Sequence, residues 1–152
     1  MLIVESPKDL LNHVGADCGS SEWVHIDQER INKFADATGD HQWIHVDVER
    51  CKNEMEDGKT IAHGYLTLSL APLLAAQTLE VKNRVRGINY GSNKVRFTNM
   101  VPVGSNVRLN QKIKDVQEMK NGGYQLTTEI SIEIEGQERP AMIGETISLH
   151  FG

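Results

Sequence analysis

Asp40 and His45 stand five residues apart just after a helix stop, and the pair His63-Gly64 opens a second, very apolar segment further along. Phe34-Ala35-Asp36-Ala37-Thr38 ends a helical pattern. Gly39 can take the left-handed conformation that closes it, so Asp40 projects from a tight turn. His45 lies among Trp43, Ile44 and Val46, which predicts a half-buried imidazole within reach of a water shared with Asp40. A carboxylate and an imidazole around one water form an acid/base pair that exchanges protons near neutral pH. After His63-Gly64, the run from Tyr65 to Leu79 is apolar on nearly every face, and a helix of that kind is a buried one. Its first amides lack partners inside the helix and carry the positive end of the dipole. The Gly64 N–H is therefore a natural donor to a carbonyl oxygen that gains negative charge.

These residues need elements to hold them. Ser6-Pro7-Lys8-Asp9 reads as a helix start, with Leu10, Leu11 and Val14 on one face and Gly15 as the stop. Val24 and Ile26 alternate with His25 in a short strand. Asp27 then caps a helix over Gln28–Thr38, whose apolar positions Ile31, Phe34, Ala35 and Thr38 recur at three and four. The charged stretch 46–57 predicts a solvated, helical flap over the site. Arg84–Asn99 reads as one or two strands, with Gly87 and Gly91 marking a bulge or a close backbone approach. Pro102 and Gly104 turn the chain into a strand from Val107 to Ile113. Tyr124, Leu126, Thr128, Ile130, Ile132 and Ile134 repeat at two, as do Ala141, Ile143, Glu145, Ile147, Leu149 and Phe151. Asn121-Gly122-Gly123 and Glu135-Gly136-Gln137 supply the turns between antiparallel strands. The sum is α+β: five or six strands in a sheet curved around one long central apolar helix, in a single domain over 1–152.

Other side chains carry weaker signals. His41 and His45 have the four-residue spacing that can hold a metal on a helix, but no glutamate follows His41 and no third ligand is evident, so the expectation is no metal. His63 is expected to support the loop before Gly64. Trp43 either lines a substrate pocket or packs beneath the flap. Lys59, Lys94 and Arg96 are candidates to meet phosphates of a ligand, set against the commoner role of exposed basic side chains as solvated surface. Net charge is −5 over 152 residues, which argues against nucleic acid as a partner. Cys18 and Cys51 lack metal-like spacing and fit a reducing, cytoplasmic setting. No secretory signal is read at Met1–Ser6, and the Tyr65–Leu79 run is short for a membrane span.

Ala37-Thr38-Gly39-Asp40 with Ile44-His45, then Ile61-Ala62-His63-Gly64, then Val101-Pro102-Val103-Gly104, resembles the MaoC-like dehydratases, which include the R-specific enoyl-CoA hydratases (hydratase 2). The resemblance is closest to the nodulation protein N-like branch and covers roughly residues 18–150. It implies a hot-dog fold, a homodimer, Asp40 and His45 as the catalytic pair and Gly64 N–H as the oxyanion donor. The implied reaction is reversible addition of water to a trans-2-enoyl thioester carried on coenzyme A or acyl carrier protein, with no cofactor beyond coenzyme A as part of the substrate. Gln42 and Trp43 stand where the family's motif usually has Asn and Pro, a departure that bears on acyl-chain preference and marks both as candidate substrate contacts with His63, Lys94 and Arg96. Two other classes share the fold: a thioesterase, whose carboxylate activates water against the thioester carbon, and a non-catalytic acyl-thioester binder.

Overall fold

The computed structural model describes residues 1–152. In chain order they form β1 (Leu2–Val4), a 3-10 helix (Pro7–His13), β2 (Asp17–Ser20), β3 (Val24–His25), α1 (Gln28–Thr38), α2 (Trp43–Val46), α3 (Val48–Glu54), α4 (Gly64–Ser69), α5 (Ala71–Ala75), β4 (Leu79–Val81), β5 (Arg86–Arg96), β6 (Asn106–Glu118), β7 (Tyr124–Ile134) and β8 (Met142–Phe151). The main sheet is antiparallel in the order β2-β6-β7-β8-β5, with β3 also pairing with β6, while β1 and β4 form a small parallel pair.

The sheet's inner face is dictated by alternation on β6 and β7. Val107, Leu109 and Ile113 face the same side as Ile130, Ile132 and Ile134, and all six are buried. Against all but Ile113 pack Ile31 of α1, Leu66 of α4 and Leu70 and Leu74 at the start and within α5, while Ile113 joins a second cluster with Leu10 and Val116. β8 departs from the expected phase. Met142, Thr146, Ser148 and His150 pair with inward residues of β7, so they form its inner face. Ile143 is exposed and Glu145 pairs with Lys114 on the other side. The period of two is right for β8, but its hydrophobic set is the outer one.

The expected long central helix is two short ones. Pro72 has no N–H to donate to the preceding turn, so the helix is interrupted at Leu70, whose own N–H is shared between Leu66 and Thr67 carbonyls at 3.1 and 3.3 Å. Nor is it buried all round: Tyr65 and Leu73 are exposed. The first segment is a 3-10 helix in which Ser6 makes no backbone cap and only Leu10 of the expected apolar face is buried, Leu11 and Val14 being exposed. Arg84–Asn99 resolves into the single edge strand β5, bulged at Gly91.

Candidate active site

α1 sets the first half of the site. The Asp27 carboxylate accepts from Arg30 N–H at 2.8 Å, capping the helix where the sequence predicts. At the other end Gly39 adopts φ +85°, and its N–H donates to the Ala35 carbonyl at 2.8 Å. Asp40 follows at once and is exposed, and one of its side-chain oxygens accepts from Gln42 N–H at 3.3 Å, which fixes the turn toward α2.

α2 carries His45, whose side chain is almost fully buried rather than half-buried. Its Nδ1 lies 2.7 Å from the Ile61 carbonyl oxygen. A carbonyl only accepts, so Nδ1 carries the proton and Nε2 of the neutral ring presents a bare lone pair. Burial lowers the His45 pKa below its ordinary value, and nearby His63 adds to this, outweighing the opposing pull of the Ile61 carbonyl and Asp40. The backbone is held as firmly as the ring. Gln28 of α1 donates from Nε2 to the His45 carbonyl at 2.8 Å, and its Oε1 accepts from the buried Thr60 hydroxyl at 2.5 Å. Thr60–Ala62 in turn is bonded to Val101 and Val103, so the Val101-Pro102-Val103-Gly104 turn positions the Ile61 carbonyl that orients the imidazole.

His63 is buried and stacked on His45, with ring centroids 3.9 Å apart and an interplanar angle of 23°. Its Nε2 lies 3.0 Å from the Asp40 carbonyl oxygen and therefore donates to it. Thus His63 ties the Asp40 loop to the His45 ring. Side-chain ligand atoms of Asp40, His45 and His63 all lie within 4.8 Å of one another.

His45 and Gly64 open onto one cavity of about 360 Å³, walled also by Thr67, Phe97, Met100 and Arg139. The Gly64 N–H, at the first position of α4, makes no hydrogen bond within the chain. Phe97 lies so close that a Cβ on Gly64 would stand 2.8 Å from its ring atoms. Phe97, Asn99 and Arg139 reach this cavity from strand ends and turns far away in sequence, and no local pattern marks them.

Of the predicted side chains only His45 lines this cavity; Asp40 and His63 stand beside His45 without lining it, and the others lie elsewhere. Gln42 caps α2 through its carbonyl, which accepts from His45 N–H at 3.0 Å. Trp43 packs beneath the flap, with the Arg50 guanidinium 4.0 Å over its ring. The flap itself is α3, anchored by fully buried Cys51. Lys94 and Arg96 are exposed on β5, where Lys94 has φ +52° and Arg96 donates to its neighbour's carbonyl, Val95, at 2.8 Å. His41 is drawn away to Asp36 at 2.9 Å, and that bond raises its pKa.

An antiparallel sheet wrapped around apolar helices, with Asp40, His45 and His63 gathered near the start of α4, defines a hot-dog protein. The chain belongs to the MaoC-like dehydratase family: the model of the MaoC-like domain matches residues 9–134. The 3-hydroxyacyl-thioester dehydratase Z of Mycobacterium tuberculosis is 49% identical over 147 residues, covering 97% of both chains. Nodulation protein N of Rhizobium leguminosarum bv. viciae is 39% identical over 142 residues, covering 93% of this chain and 88% of the relative. Among solved structures the fold is shared with the (R)-hydratase from A. caviae, at a TM-score of 0.71 and 24% identity over 89% of this chain and 94% of that one. No helix is long and apolar enough to cross a membrane.

Proposed function

We propose that this protein is a hydro-lyase of the R-specific hydratase type, adding water reversibly to a trans-2-enoyl thioester to give the R-3-hydroxyacyl thioester. The observation that carries the reading is the unprotonated Nε2 of His45, beside the Asp40 carboxyl group and in one cavity with the unengaged Gly64 N–H. The thioester oxygen accepts from Gly64 N–H, so charge that develops on it during attack is stabilised where it appears. One such donor is worth about 3 kcal/mol. Because α4 has only six residues, the N–H itself carries this stabilisation and the dipole adds less than a long helix would.

Water sits between Asp40 and His45. His45 Nε2 takes one proton as the oxygen bonds to C3, Asp40 accepts a hydrogen bond from the hydrogen that stays on that oxygen, and the His45 imidazolium gives its proton to C2, so that water is added as H and OH. Acid/base assistance of this kind contributes roughly 100- to 10,000-fold. The name of the 49%-identical relative agrees with a thioester substrate. The chain acts as a homodimer in this reading. β5 is an edge strand of 11 residues with Val85, Ile88, Tyr90 and Phe97 exposed along or beside it, an apolar edge of the kind that pairs with a second copy.

The test is loss of enoyl absorbance from crotonyl-CoA, with a thiol reagent in parallel. Signal loss without thiol release is expected, and it disappears in Asp40→Asn and in His45→Gln while both variants keep the wild-type circular dichroism spectrum. Thiol release instead would make the protein a thioesterase, and near wild-type turnover in either variant would remove the pair from the mechanism.

A further inference from the structure

A second cavity, of about 780 Å³, lies on the inner face of β5 and β8 beneath α4, α5 and β4. We propose that it binds an aliphatic carboxylate, with the chain against Leu68, Ala75, Leu109 and Ile130 and the carboxylate on Arg84.

Charge is the first reason. Arg84 is the one lysine or arginine lining this cavity, and no aspartate or glutamate lines it, in a chain whose 21 acidic residues outnumber 16 basic ones. Nor does Arg84 join any of the chain's ion pairs. A guanidinium offers five N–H donors in a planar fork that matches a carboxylate, and only Nη1 is engaged, at a long 3.5 Å, by Nδ1 of His150.

The polar wall supplies the second. Arg84 can only donate, so Nδ1 of His150 accepts, and the ring's Nε2–H donates to the Ser148 hydroxyl oxygen at 2.8 Å. The Ser148 hydrogen is then left free for a ligand acceptor. Burial and then the Arg84 charge push the His150 pKa down to about 4, which keeps this relay neutral and leaves Arg84 as the sole charge. Among the neutral polar groups Thr128 bonds Thr146 at 2.8 Å and the Gln111 amide donates to Thr78 at 2.8 Å, while Asn89, Tyr90 and Ser92 line the β5 wall without a side-chain partner. Arg84 is thus the one charge in the cavity, set with the free Ser148 hydroxyl and a few neutral polar groups above an apolar floor, and the cavity's size falls in the range of small-molecule sites.

Calorimetric titration of the intact protein with decanoate, and in parallel with decan-1-ol, tests this without reference to any enzymatic activity. Decanoate is expected to bind once per chain, at least tenfold more tightly than decan-1-ol, and Arg84→Gln is expected to erase that difference. Arg84 is exposed, so the variant is expected to fold, and its circular dichroism spectrum checks that. Absence of binding, equal affinity for acid and alcohol, or unchanged decanoate affinity in Arg84→Gln overturns the site. The carboxylate could be that of a free fatty acid or the far end of a substrate acyl chain. Arg84-dependent competitive inhibition of crotonyl-CoA hydration by decanoate identifies the second source, and binding without inhibition the first; each is a positive outcome for the site.

Discussion

The imidazoles of His45 and His63 lie face to face, 3.9 Å between centroids, while Nε2 of His63 holds the backbone carbonyl of Asp40 at 3.0 Å. One side chain thereby fixes the spacing of the two groups assigned to the water. His63→Phe keeps a flat ring on His45 but loses the bond to Asp40. A net hydrogen bond is worth about 1 kcal/mol, so kcat on crotonyl-CoA is expected to fall by about fivefold. Stability should change little, because Nδ1 of His63 is buried without a partner and the substitution removes that cost. Proximity to His63 helps lower the His45 pKa, so the acid limb of the kcat profile should move to higher pH. A profile unchanged in both height and position would leave His63 a packing residue.

Stability itself should depend on pH through His150. Its pKa falls from an ordinary 6.5 to about 4 on folding, chiefly by burial. Between those values the unfolded chain binds a proton that the folded one refuses, so stability rises with pH across the window and falls as pH drops from 6.5 toward 4. The loss is on the order of 3 kcal/mol at about 1.4 kcal/mol per pH unit, with buried His45 adding in the same direction. Urea midpoints measured at several pH values check the slope. In His150→Gln the dependence should flatten markedly, leaving the part due to His45.

Gly64 is required for space as much as for its N–H. A Cβ there would stand 2.8 Å from two Phe97 ring atoms, well inside van der Waals contact, so the ring must move or the head of α4 must shift. Overpacking of this kind costs typically 1–3 kcal/mol. Gly64→Ala is expected to lower the melting temperature and to reduce kcat/KM by about 100-fold as the donor leaves its position. Gly64→Ala with Phe97→Leu should regain most of the melting temperature. Full activity in the single variant would show that the N–H does not bind the reacting oxygen.

Local chemistry made the head of the site legible from sequence. The Asp27 cap and the Gly39 stop follow from residues a few positions apart, and the structure sets Asp40 close to His45 and His63 and puts His45 in one cavity with Gly64. Long-range features were not legible. Phe97, Asn99 and Arg139 join the cavity only because the sheet's strand order brings their turns to it. β8 misled for a different reason. Beyond Met142 its hydrophobic residues Ile143, Leu149 and Phe151 alternate with Thr146, Ser148 and His150, and it is the polar three that line the inner cavity. The Tyr65–Leu79 run misled because composition is blind to Pro72, which ends one helix and starts another whatever the surrounding hydrophobicity.

Gln28 provides the sharpest separation of positioning from chemistry, since it touches the site only through the backbone. Its amide bridges the Thr60 hydroxyl and the His45 carbonyl, joining the two segments whose bond from His45 Nδ1 to the Ile61 carbonyl selects the reactive tautomer. Gln28→Ala removes both contacts and leaves the buried Thr60 hydroxyl unpaired, at a cost of about 1–3 kcal/mol. Gln28→Glu keeps the acceptor for Thr60 but sets an oxygen against the His45 carbonyl, where only a donor serves. If the bridge orients His45, both variants lower kcat with little change in KM, and the glutamate variant is the poorer catalyst despite being nearer in shape. Were the bridge merely structural, Gln28→Ala would lose melting temperature while kcat at a temperature well below unfolding stayed at the wild-type value. Urea melts together with kcat and KM on crotonyl-CoA distinguish the two.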